Sequence, residues 1–383
     1  MPGIAELTID SLAAGGDAVG RDANGRVTFV PRAAPGDRVR VRIVHATASF
    51  ARGELIEVLA PGPARVEPAC PAFARGCGGC AWQHVARADQ LAAKQAIVDR
   101  GLRKLAGLRV HAIEDPCAPL GWRRRARFHV RAGTVGLFAH ASHDLVELDG
   151  CPQLEPALDA AVREIVDTSR RHSAPPPDGE LYLLAGHRGD VAVATERPWP
   201  AGAARDVAIE VDPGVHATAR QFAQASAAGN RALVARAAAA LGAPPHAGAA
   251  LLELHAGTGN LTRAYRAAGW RVVATDLAPG AEIGVIVADA AAALASQPGP
   301  FTAIALDPPR AGAADAVAGI LRHAPSTVVY VSCDVATLAR DAAALVATGA
   351  YRATDAYPID LMPQTAHVEV VLRLERVTAS SGL

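Results

Sequence analysis

From Ala249 onward the chain alternates short apolar runs with helical stretches, and this grammar constrains its fold more than any other feature. Apolar runs end at Leu254, Thr275, Ala288, Leu306 and Val331, and another spans Val368 to Leu374. Strands that are apolar at every position, not at alternate ones, are buried on both faces, which is what helices on both sides of a parallel sheet provide. The expectation is a doubly wound α/β domain over residues 216–383, entered by a helix around 218–241. Its first strand, Leu251-Leu-Glu-Leu254, runs into His255-Ala-Gly-Thr-Gly-Asn260 and then a helix from Leu261. Gly257 and Gly259 let the backbone turn sharply and approach a ligand. Asp276 follows the second strand, where an acid can hydrogen-bond ribose hydroxyls. Dinucleotides and S-adenosylmethionine both use this layout. Thr262 holds the place of the third glycine of the dinucleotide fingerprint, which disfavours a pyrophosphate turn. Only twelve residues separate Asp276 from Asp289, so the crossover between them is expected to be a short loop.

Three reactive side chains are expected at the edge of that sheet. The strand Phe301–Leu306 ends in Asp307-Pro-Pro-Arg310, and prolines cannot continue a ladder, so the carboxylate turns out at the ligand-binding edge. Thr327-Val-Val-Tyr-Val-Ser332 delivers Cys333, and the last strand opens at Val368-Glu369. A cysteine after an apolar strand is ordinarily a small buried hydrophobe. Beside Asp307 and a cofactor loop it reads as a nucleophile. Carbon 5 of uracil is a poor nucleophile. Addition of a thiolate to carbon 6 creates an enolate whose carbon 5 attacks a sulfonium methyl, and a base then removes the carbon 5 proton. Glu369 is the candidate base, with a strand-end salt bridge as its plainer alternative.

The front of the chain is of a different kind. Residues 1–62 alternate β-rich runs with glycine turns, as in an OB-like barrel, a fold that often holds oligonucleotides. Arg38, Arg40 and Arg42 share one face of Arg38–Val44, either for RNA or as a solvated strand face. Pro61–Pro71 is a linker, Asp89–Leu105 has helical spacing, and 172–179 is a proline loop. The region 63–215 is expected to form a β-rich domain. Within it Cys70, Cys77, Cys80 and Cys151 read as metal ligands; four thiolates fit zinc or an iron–sulfur cluster, and Cys151 lacks the close second cysteine of a zinc ribbon. Trp122-Arg-Arg-Arg-Ala-Arg-Phe-His-Val-Arg131, with five arginines, Trp122 and Phe128, suits phosphates and unstacked bases.

Tyr330-Val-Ser-Cys-Asp-Val-Ala-Thr-Leu-Ala-Arg-Asp341, Asp307-Pro-Pro-Arg310 and Pro363-Gln-Thr-Ala-His-Val-Glu369 resemble the motifs of RNA uracil-5-methyltransferases, the 23S rRNA and tRNA 5-methyluridine enzymes. The resemblance runs over nearly the whole chain. It implies Cys333 as nucleophile, Glu369 as base and S-adenosylmethionine as methyl donor, contacted by Gln224, His255, Asn260, Asp276, Asp289 and Asp307 together with the Gly257/Gly259 turn. It implies a [4Fe–4S] cluster on Cys70, Cys77, Cys80 and Cys151, and a TRAM-type RNA-binding barrel over 1–62. It also implies an RNA partner, with rRNA favoured over tRNA because barrel and cysteine cluster occur together. An RNA-binding protein with a degenerate catalytic domain is the alternative from another class.

Charge agrees with a polyanionic partner for the front half. Residues 1–131 carry 20 Lys/Arg against 12 Asp/Glu, and residues 132–383 carry 18 against 26, so a net charge of zero hides a basic half and an acidic half. No apolar run is long enough to span a bilayer, and Met1–Asp10 lacks the pattern of a secretory leader. A cytoplasmic protein with no obligate protein partner is expected.

Overall fold

The computed structural model describes residues 3–171, 175–199, 206–278 and 284–377. The first residues of the expected proline loop at 172–179, and 279–283 of the short crossover, lie outside the described residues.

Five strands, Ile4–Leu12, Ala18–Arg21, Val27–Val30, Arg38–Ala46 and Phe50–Ala60, close into a barrel. Alternation along Arg38–Ala46 sends Val39 and Val41 into its core and the arginines outward. Those arginines meet carboxylates across the ladder: Arg40 pairs with Glu57 at 2.6 Å and Glu6 at 2.9 Å, and Arg42 with Glu54 at 3.4 Å. For Arg40 and Arg42 the solvated, ion-paired strand face is therefore the better description. A buried carboxylate ties the barrel to its exit. Asp37 accepts from the backbone of Ala34 at 2.7 Å and Gly62 at 2.8 Å, and Arg65 grips both its oxygens. Burial alone would raise this carboxyl, but Arg65 and the two amides outweigh it and hold it below its ordinary value. A depressed carboxyl stabilises the fold at pH above its unfolded value, and that stability is lost as pH falls through the folded value. Asp37→Asn should cost about 2–4 kcal/mol at pH 7, because it strands a half-buried guanidinium. The loss should shrink toward pH 3; a denaturant titration at both pH values measures it.

A second sheet, antiparallel, is ordered Val191–Thr195, Gly179–Ala185, Arg125–Arg131, Thr134–Phe138, Leu145–Glu147. The helix Pro156–Arg170 covers one face, burying Leu158, Val162 and Val166 against a core that includes Phe128, Val130, Leu181 and Leu183.

The third sheet has eight strands. The parallel set runs Val285–Val287, Arg271–Asp276, Ala250–Leu254, Ala303–Leu306, Thr327–Ser332; Glu369–Arg376 follows antiparallel to it, and Tyr351–Ile359, antiparallel to Glu369–Arg376, runs again in the direction of the set. Every residue of Ala250–Leu254 and Ala303–Leu306 is buried, as their unbroken apolar pattern requires. The eighth strand, Arg109–Val110, comes from far upstream and pairs with Tyr351–Ile359. The helix Arg87–Leu102 lies beside the helix Val335–Val346. A Cβ on Gly101 would fall 2.4 Å from Val335 Cγ1, so the bare backbone there permits the close approach. Part of the stretch expected in the central domain thus completes the C-terminal sheet. Short-range periodicity reveals a helix, but not the face it will cover.

The entry helix is shorter than expected, Ala227–Leu241. Ser226 caps it, accepting from the Gly229 amide at 3.0 Å. Gln224 therefore sits in the irregular approach and not on the helix, with its carbonyl accepting from Arg124 Nε at 3.0 Å. Among the described residues, no helix is long and apolar enough to cross a membrane.

Candidate active site

Register brings the predicted residues to one edge. Leu254 stands beside Thr275 and Leu306, so the next residues, His255, Asp276 and Asp307, come to the same edge of the sheet. Ser332 pairs with Val370 in the antiparallel ladder, which sets Cys333 and Glu369 at its open end. Reversal of the last strand is what lets its beginning share a rim with the ends of the parallel ones.

The loop after the first strand is shaped for a ligand. His255, Gly257 and Gly259 all adopt positive φ (59°, 55° and 78°), and a Cβ on Gly257 would meet nothing within 4 Å. Asp276 accepts from the Gly257 amide at 2.8 Å and the Ala278 amide at 2.7 Å, so it also holds the loop closed. His255 is half-buried; burial lowers its pKa, and its Nε2 has no hydrogen-bond partner among the described residues. Asn260 is held in a two-way amide pair with Asn230, at 2.8 and 2.9 Å, and Asn230 also donates to Asp212 at 2.8 Å. Neither Asn230 nor Asp212 carries a sequence signal, because the pairing joins elements far apart in the chain. Asp289 caps the helix Ala290–Ser296 through the Ala292 amide at 2.7 Å.

The reactive cluster is held from behind. Asp334 caps the twelve-residue helix Val335–Val346, so Cys333 lies at a helix N-terminus that favours its thiolate. Asp341 accepts from Tyr330 Oη at 2.7 Å and from the Ala313 amide at 2.8 Å, joining the Cys333 strand to the loop after Asp307. Burial raises the Cys333 thiol, Glu369 raises it further, Arg310 pulls it back and Asp307 adds to the rise, leaving it at about 11. Glu369 is buried, and desolvation with the repulsion of Asp307 lifts its carboxyl well above the ordinary range. Desolvation likewise lifts Asp307. Burial thus favours the protonated forms of all three groups over three adjacent anions. Arg310 donates to His367 Nε2 at 2.9 Å, and burial plus that guanidinium depress the imidazole to about 4. Such a rim can add sulfur to an electrophilic ring and move a proton beside it.

The four predicted cysteines line one cavity, with Phe73, Leu137 and Leu148 among its apolar walls. All four are free thiols. Burial raises Cys77 and Cys151, and Cys80 to about 12. Among the described residues no three His, Cys, Asp or Glu side chains are grouped so as to hold a metal ion.

The arginine-rich segment divides by strand alternation. Trp122, Arg124 and Phe128 are buried, and Trp122 Nε1 donates to Gln153 at 2.6 Å. They are part of the framework and not of a stacking surface, contrary to the expectation for Trp122 and Phe128. Alternation, visible in the sequence, separates them from Arg125, Arg127, His129 and Arg131 on the other face. Two aromatics the sequence did not single out join that face. Phe138 stacks on His129 at 3.8 Å, and Phe222, 60% exposed, lies 5.7 Å from Arg125.

A glycine loop on the first strand of a sheet wound in this order belongs to the class I S-adenosylmethionine-dependent methyltransferases, and this chain has that fold. It superposes on the tRNA (uracil-54, C5)-methyltransferase of Pyrococcus abyssi, solved with S-adenosyl-L-homocysteine, with TM-score 0.71 over 96% of this chain and 99% of that one at 20% identity. The family models for the TRAM domain and for tRNA (uracil-5-)-methyltransferase match residues 4–56 and 294–377. The 23S rRNA (uracil(1939)-C(5))-methyltransferase RlmD of Pseudomonas entomophila is 33% identical over 92% of this chain and 89% of its own length. That of Pseudomonas putida is 33% identical over 96% and 93%. The chain belongs to the RNA (uracil-5-)-methyltransferase family.

Proposed function

We propose that this protein methylates carbon 5 of a uridine in 23S rRNA, at the position equivalent to the one named for its relatives, through a covalent adduct on Cys333. The observation that carries the mechanism is the ladder end that sets Cys333 opposite Glu369, with the Asp307 strand lying between the Cys333 strand and the strand that leads into the glycine loop. S-adenosylmethionine, when bound, supplies an electrophilic methyl group. The open space at Gly257, the unpartnered His255 Nε2 and the Asp276 carboxylate fit it, with Gln224, Asn260, Asp289 and Asp307 as its further contacts.

The Cys333 thiol gives up its proton to solvent, and the thiolate adds to carbon 6 of the uracil. The electron pair of the 5,6 double bond moves toward oxygen 4, and carbon 5 then takes the methyl group as the sulfur–methyl bond of the donor breaks and a neutral thioether leaves. Glu369 removes the proton left on carbon 5. The double bond re-forms as the carbon–sulfur bond breaks and Cys333 departs as thiolate. The uridine must leave its stack to reach the rim, at a cost of about a few kcal/mol, which a loop target reduces. Arg125, Arg127, Arg131, Phe138 and Phe222 offer charge and ring faces for its neighbours. Labelled methyl donor incubated with 23S rRNA and with tRNA tests the assignment. Label in 5-methyluridine of the rRNA is expected; label in tRNA alone overturns the rRNA assignment, and no label in either favours a pure binding role.

The chemistry of Cys70, Cys77, Cys80 and Cys151 suits a [4Fe–4S] cluster, since the donor set is all sulfur and the cavity walls are mostly apolar, and the four side chains would have to draw together to hold it. A cluster there would join residues 70–80 to 151 beneath the RNA-facing sheet. Anaerobic purification should give brown protein with about four irons per chain; a colourless, zinc-containing protein contradicts the assignment.

A further inference from the structure

The loop 360–368, which ends at the proposed base, is held by side chains that the reaction itself does not use. Gln364 stands five residues before Glu369, with φ +66°, a conformation costly for a residue other than glycine. Its amide donates to Gln90 Oε1 at 3.0 Å, and its side-chain oxygen accepts from Gln90 Nε2 at 2.8 Å. Its carbonyl accepts from the amides of Ala81 at 3.1 Å and Trp82 at 3.0 Å, the two residues that follow Cys80. Gln90 is fully buried and also donates to Val85 O at 2.8 Å. One turn along the same helix, buried Lys94 reaches Asp360 Oδ1 at 2.6 Å and Met362 O at 3.0 Å. Bonds to every polar group of Gln364's backbone thus over-determine a strained residue, and they come from the cysteine loop on one side and the Arg87–Leu102 helix on the other. Strain persists where the surroundings enforce it.

We propose that Gln90, acting through the strained backbone of Gln364, is a positioning residue that sets the Glu369 strand against Cys333 and fixes that setting to the cysteine loop. This rests on the reading of Glu369 as the base. The device acts on proton removal and not on sulfur addition, because Cys333 arrives on a different strand, held by Asp341 and Asp334. A shift of the base by a fraction of an ångström is enough to slow its step, as misplacement near 1 Å costs about 100-fold.

The test separates the two steps in the full-length protein with a 23S rRNA fragment. RNA carrying 5-fluorouridine forms an adduct that cannot lose its carbon 5 substituent, so its rate of formation reports addition and methyl transfer alone. Release of product from ordinary RNA reports the base. Gln90→Met, similar in volume and without hydrogen bonds, should trap 5-fluorouridine RNA at the wild-type rate but release product about 10- to 100-fold more slowly. Gln364→Gly, which suits positive φ and keeps the backbone bonds, should release near the wild-type rate. Gln364→Val, β-branched, should resemble Gln90→Met; this pair decides the matter if Gln90→Met does not fold. Equal slowing of both steps, or of neither, overturns the proposal and leaves Gln90 a packing residue. Glu369→Gln runs alongside: if it releases product normally, the base reading has failed, independently of Gln90.

Discussion

Replacing Cys333 with alanine should abolish methylation, lowering the single-turnover rate by about 10⁴-fold or more, the scale seen when a covalent nucleophile is removed. No denaturation-resistant protein–RNA adduct should form, while binding of S-adenosyl-L-homocysteine, measured by calorimetry, should stay within a few-fold of wild type. Methylation that survives the substitution would remove Cys333 from the mechanism. The same thiol predicts a pH dependence. Partial burial and the neighbouring Glu369 push the half-buried Cys333 thiol up to about 11, so the thiol form is favoured at neutral pH. Base catalysis by Glu369, whose carboxyl is also raised, needs deprotonation as well. Both effects have one sign: the rate should climb from pH 6 to 9, by up to about tenfold per unit. A flat profile would mean that RNA binding, or a repacked rim with a lowered thiol pKa, limits the rate.

Glu369→Gln should do the opposite of Cys333→Ala to the adduct. Addition and methyl transfer need no base at carbon 5, so they should proceed and leave the methylated RNA on sulfur. Turnover should fall by about 10²–10⁴-fold, the usual contribution of a positioned base. Gel-shifted protein should approach one RNA per chain, and mass spectrometry should find the added methyl within it. Normal release would assign the proton to another group, with Asp307, whose charge acts on Glu369, a candidate on this rim. Glutamine retains the volume of Glu369 and relieves its repulsion with Asp307, so the fold itself should not suffer.

The candidate site was legible because its chemistry sits at strand ends. An unbroken apolar run that stops at His255, Asp276, Asp307 or Cys333 announces both a buried strand and the edge where it finishes. The fold brings Cys70, Cys77 and Cys80 and distant Cys151 to one cavity, a meeting that the spacing of the first three does not reveal for the fourth. The arginine segment was legible only in part. Its composition points to RNA, but strand alternation turns Arg124 and Phe128 inward, and Phe222 and Phe138 arrive from elsewhere in the chain.

Sequence alone determined the local quantities: the doubly wound grammar, the glycine turn, and the residue types at the strand ends. These follow from near-neighbour physics, in which side-chain period, turn chemistry and intrinsic reactivity are properties of a few consecutive residues. Tertiary structure decided what depends on distant partners. It carried the helix Arg87–Leu102 and the strand Arg109–Val110 onto the catalytic sheet, paired Asn260 with Asn230, and paired Gln90 with a strained Gln364. It also pushed Cys333 and Glu369 toward their protonated forms, because desolvation and charge repulsion exist only once separate strands have closed around the same rim.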